Sequence, residues 1–166
     1  MPITRITVNP PGGIAEIDPV KRPINAEMLV LMDAWGVTRP ALLAAMLSGP
    51  HAPKGEPARD AMNVLIMEAC DGAVPCPALV YAKLLQLDSK LRGTIKAIVE
   101  KYADQPRIEF SLPRDDSEAR KTVGALFEHE AFENLPLTAA GTRIALFTVG
   151  RTLRERGVDV HFCFPA

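Results

Sequence analysis

Fifteen prolines fall in 166 residues, and they divide the chain before any other feature does. Proline lacks a backbone N–H and fixes φ, so regular structure runs between prolines rather than through them. Pro10, Pro11, Pro19 and Pro23, with Gly12 and Gly13, make residues 9–24 an extended, proline-rich arm. Residues 78–105 hold no proline at all. There Val80, Leu84, Leu87, Leu91, Ile95, Ile98 and Tyr102 recur at helical spacing, which predicts a long helix opened by Pro77 and reaching about Ala103.

The remaining segments follow from local signals. Residues 3–8 are rich in β-branched side chains and read as a short strand. Asn25 is placed to cap a helix over 26–35 that Gly36 stops, and Thr38 to cap a second with Pro40 in its first turn. Pro57 opens a third helix, ending at Asp71-Gly72. Ile108, Phe110 and Leu112 alternate with polar residues, as in a half-buried strand. Asp115 and Glu118 have capping-box spacing before a helix over 116–133. Thr138 caps a further helix that stops at Gly157, and Val158, Val160, Phe162 and Phe164 alternate to the end. The expected architecture is α+β and mainly helical, with about six helices on a small, about three-stranded sheet. Residues 1–166 are expected to form a single domain.

Composition narrows the function classes. Hydrophobic residues make up 48% and the net charge is −1, so the chain can build a core and has no overall attraction for nucleic acid or anionic lipid. The first five residues lack the basic and apolar regions of a signal peptide, and no apolar run reaches the ~18 residues that span a bilayer. Three cysteines, Cys70, Cys76 and Cys163, are an odd number and a poor disulfide framework. With a richness in Ala, Arg, Gly and Pro, these features point to a bacterial cytoplasm.

Residues 36–42, with Ser48-Gly49 after them, resemble the turn and recognition helix of repressor-type helix-turn-helix regulators. The resemblance covers about 25 residues and implies DNA contacts from Thr38 and Arg39. It departs from that pattern at Met32, where a small residue is usual, and in a second helix one residue too long. Of the groove-facing Arg39, Pro40, Ala41, Leu43 and Ala44, only Arg39 can hydrogen-bond a base edge. Residues 1–60 also carry six basic against six acidic side chains, so no electrostatic footprint surrounds the motif. The competing reading is a pair of core helices joined by a tight turn.

A metal or hydrolase site is a third reading. His129 and Glu133 are four residues apart on one helical face, and His161 and Cys163 share a strand face with Asp159. The second histidine of a zinc-protease helix is missing, and an acidic solvated helix end explains the same residues. A cysteine nucleophile would be Cys76 or Cys163, with His51, His129 or His161 as base, and Cys76 stands at the start of the long helix, where a helix dipole would lower a thiol pKa. No cofactor is implied.

The strongest functional signal is an apolar excess. Met28, Leu29, Met32, Leu43 and Met46 lie on two helices that are apolar nearly all round, and such helices are buried on more than one side, either by a partner or between the domain's own helices. Methionines suit an adaptable contact surface. The expectation is a non-catalytic interaction module (an adaptor, chaperone-like protein or accessory subunit) with a protein partner or a second copy, and a homo-oligomer.

Overall fold

The structure, a computed structural model, describes residues 22–49, 52–119, 121 and 132–166. In chain order these form α1 (Arg22–Ala34), α2 (Arg39–Met46), α3 (Glu56–Cys70), α4 (Ala78–Tyr102), β1 (Arg107–Ser111), α5 (Ala139–Glu155) and β2 (Asp159–Cys163). Residues 116–119 begin a further helix. The α+β class and the helical majority are as expected. The described sheet has two strands rather than three. The strand expected over 3–8, and the arm over 9–24 as far as residue 21, lie outside the described residues.

Local chemistry explains most boundaries. After α1, Gly36 takes φ +58. The Val37 amide then reaches back to the Met32 carbonyl at 2.8 Å, and the Gly36 amide to the Asp33 carbonyl at 3.4 Å. This is the αL ending that glycine permits, and it satisfies carbonyls the helix leaves open. The Thr38 hydroxyl accepts the Ala41 amide at 3.3 Å, and the Thr138 hydroxyl accepts the Gly141 amide at 3.0 Å, so both expected caps are present. Asp115 accepts the Glu118 amide at 2.9 Å, while Glu118 accepts the amide of Arg114 at 2.7 Å.

Asn25 is a correction. It does not cap α1, which begins three residues earlier at Arg22. Its side chain is buried inside the fold, donating to the carbonyls of Ala69 (3.1 Å) and Val74 (2.8 Å) and accepting the Cys76 amide (2.7 Å). One amide thus joins α1 to the end of α3 and to the loop entering α4.

The two strands pair in parallel, with Arg107 opposite Asp159 and Ser111 opposite Cys163. A parallel connection needs a crossover, and α5 lies within it. Phe110 and Val160 face inward and are buried, while Glu109 and His161 face out. Beneath the sheet, Phe110 meets Tyr102 edge-on at 6.3 Å and stacks with Phe162 at 6.1 Å, and Phe162 stacks on Phe147 at 5.7 Å. Phe164 continues the alternation in sequence but lies past the strand end and is 58% exposed.

The α1–α2 turn rests on the first turn of α5 at backbone distance. The Thr138 hydroxyl donates to the Gly36 carbonyl at 2.8 Å, and a Cβ on Gly141 would stand 2.5 Å from the Trp35 carbonyl oxygen. Only glycine allows that approach.

Candidate interaction surfaces

Two ties set α1 alongside α4. The Tyr81 hydroxyl donates to Glu27, and the Trp35 indole N–H donates to Asp88 at 2.7 Å. Residue numbers rise together between these ties, so the helices run in the same direction. Arg92 reinforces the second tie, bonding Asp88 at 3.0 Å with its guanidinium 6.0 Å from the Trp35 ring centre. The Glu27 carboxylate at its hydroxyl pushes the Tyr81 pKa up.

Apolar side chains lie open within and beside this stretch. Val30 is 65% exposed, Leu85 43% and Leu79 70%. The exposed residues of α4 between 78 and 89 are Ala78, Leu79, Ala82, Leu85, Gln86 and Ser89, and none of them is charged. Farther along, the exposed positions include Arg92, Lys96, Glu100 and Lys101. The wet, charged face of an ordinary amphipathic helix is therefore present only in the second half of α4. Leu79 and Leu85 fall off the stripe formed by Val80, Leu84, Leu87 and Leu91, and that offset was the sequence signal for this surface.

The residues expected to bind a partner divide. Met28, Met32 and Met46 are buried in the core, which removes them from any surface, while Leu43 is half-buried and Leu29 is 39% exposed. The apolar excess of the first two helices is absorbed mainly by the chain's own packing.

The helix pair α1–α2 bends by 106°, within the range of a helix-turn-helix. Its outer face is otherwise engaged. Thr38, Pro40, Ala41 and Ala44 line a cleft of about 560 Å³ whose opposite wall is residues 132–137 of the same chain. Thr38 is occupied as the helix cap, and Arg39 pairs with Asp71 at 3.1 Å. The structure gives the DNA-reading arrangement no support beyond the bend itself.

The metal or hydrolase residues do not assemble among the described residues. His129 and His51 lie outside them. Glu133 sits on the cleft wall, whereas His161 is on the outer face of β2, its Nε2 3.0 Å from Asp159. The Cys163 sulfur lies 3.5 Å from Glu109, and burial with that carboxylate raises its pKa. No group of three His, Cys, Asp or Glu among the described residues could hold a metal ion. Cys76 is a further correction: burial pushes its thiol up to about 11, and this outweighs the helix start that would lower it. Cys70 is raised too, chiefly by burial, with Arg39 acting in the opposite sense.

Among the described residues no single helix is long and apolar enough to cross a membrane. The class so defined is a mainly helical α+β fold with a parallel strand pair and an uncharged, partly apolar helical face. Comparison with protein-family models, with curated proteins and with solved structures finds no match.

Proposed function

We propose that this chain is a non-catalytic protein–protein interaction module of the bacterial cytoplasm, an adaptor, chaperone-like protein or accessory subunit, that also self-associates. The observation that carries the reading is the exposure of Val30 on α1 and of Leu79 and Leu85 on α4, whose exposed residues between 78 and 89 carry no charge. Burying side chains of this size against a partner removes apolar area from water at ~25 cal/mol per Å². The chemistry complementary to such side chains is another apolar helix or groove.

The test is a pull-down and native mass measurement with the full chain and with a Val30→Glu, Leu79→Glu variant. Both positions are exposed, so the variant should fold with unchanged circular dichroism and Trp35 fluorescence. Loss of the bound protein in the variant supports the reading. Retention of the same partner at the same stoichiometry contradicts it.

A further inference from the structure

The strand pair has two outer edges, and the structure treats them differently. The Asp159 amide bonds the Pro106 carbonyl at 3.1 Å and the Leu112 amide bonds the Cys163 carbonyl at 2.8 Å. With the observed register, this turns the backbone groups of Arg107, Glu109 and Ser111 away from β2, and those of Val160 and Phe162 away from β1. On the β2 edge, Arg154 occupies the Val160 carbonyl through Nη2 at 2.7 Å and Nε at 3.3 Å, with its guanidinium 5.3 Å from the Phe162 ring centre. That side chain stands where an added strand would pair. Among the described residues nothing bonds the outward amides and carbonyls of Arg107, Glu109 and Ser111. An edge of this kind is a template for another strand.

We propose that the β1 edge takes the β1 strand of a second copy of this chain, antiparallel about a two-fold axis, to give a continuous sheet β2–β1–β1–β2. The inference rests on the self-association half of the proposed function and supplies its geometry. Charge selects the register. With Ile108 on the axis, Arg107 of each copy stands directly opposite Glu109 of the other, and both pairs exchange backbone hydrogen bonds. With Glu109 on the axis, two carboxylates face each other, which is destabilising. Arg107 is available for this role, since it is exposed and its contact to Asp159 is a loose 3.7 Å. On the inner side, Ile108 is half-buried in one copy and gains cover from its equivalent.

The test follows the monomer–dimer equilibrium of the full chain by sedimentation across a wide concentration range. Glu109→Pro removes an N–H that points away from β2, so the internal strand pair is retained. Dissociation should strengthen at least tenfold while Trp35 fluorescence stays native. Should that variant not fold, Arg107→Glu and Glu109→Arg singly should weaken the dimer, and the double exchange should restore it. Ile108→Cys, in a Cys163→Ser background, should form a disulfide between copies, whereas Glu109→Cys should not. A dimer indifferent to the proline, the charge changes and the cysteine overturns the edge while leaving self-association standing. A wild-type monomer at every concentration overturns both.

Discussion

The Asn25 side-chain oxygen accepts the backbone amide of Cys76 at 2.7 Å, across 51 residues of sequence. The Asn25 side-chain nitrogen donates to the carbonyls of Ala69 and Val74, so three backbone groups in the α3–α4 corner depend on one side chain. Removing it leaves buried donors and acceptors without partners, which costs more than the bonds themselves contribute. Asn25→Leu is expected to destabilise by about 2–4 kcal/mol, read from urea unfolding monitored at Trp35. A change below ~1 kcal/mol would show that water replaces the amide there.

Two glycines in helices should respond in opposite senses. A Cβ at Gly141 meets the Trp35 carbonyl at 2.5 Å, while one at Gly93 meets nothing within 4 Å. Gly141→Ala should therefore cost at least ~2 kcal/mol, because backbone has to move. Gly93→Ala should stabilise by up to ~1 kcal/mol through helix propensity. Thermal melts of the two variants check the pair, and equal shifts would contradict the close α1–α5 approach.

What the sequence made legible was local. The α4 stripe, the Thr38 and Thr138 caps and the alternation in β1 and β2 each depend on residues within a few positions of one another. Asn25 has the local look of a cap, an Asn before an apolar run, whereas its partners lie 44 to 51 residues away and leave no local trace. The methionines at 28, 32 and 46 suggested a surface because a sequence does not show how many neighbours surround a helix. Met28 and Met32 are buried because α1 packs on α3 and α4, and Met46 because α2 packs on the same two helices. The parallel sense of the sheet is likewise set by the crossover through α5.

Thiol chemistry should separate the cysteines. Cys163 is half-buried, whereas Cys70 and Cys76 are buried. In native protein at neutral pH, one thiol should react with a disulfide reagent well ahead of the other two. Three equal rates would contradict the packing. The Cys76 pKa is raised from about 9 to about 11 in the folded chain. Between those values the unfolded thiol loses its proton and the folded one keeps it, so this contribution is present below about pH 9 and is lost as pH rises toward 11. Wild type should lose ~1–2 kcal/mol more than Cys76→Ala across that window.

Arg39 provides the check on DNA binding. It is paired with Asp71, and α2 faces the cleft wall. Bulk duplex DNA at low salt should show no salt-dependent association, and Arg39→Ala should change nothing. Binding that weakens steeply with salt and is lost in Arg39→Ala would instead favour the helix-turn-helix reading.

Native mass spectrometry of the tagged full chain, purified gently from its own cells, is the most direct test of an interaction module. A defined homo-oligomer, or a stoichiometric protein partner released by Val30→Glu with Leu79→Glu, is the expected result. A bare monomer carrying a bound ion or small molecule would contradict it and return attention to His161 and Cys163.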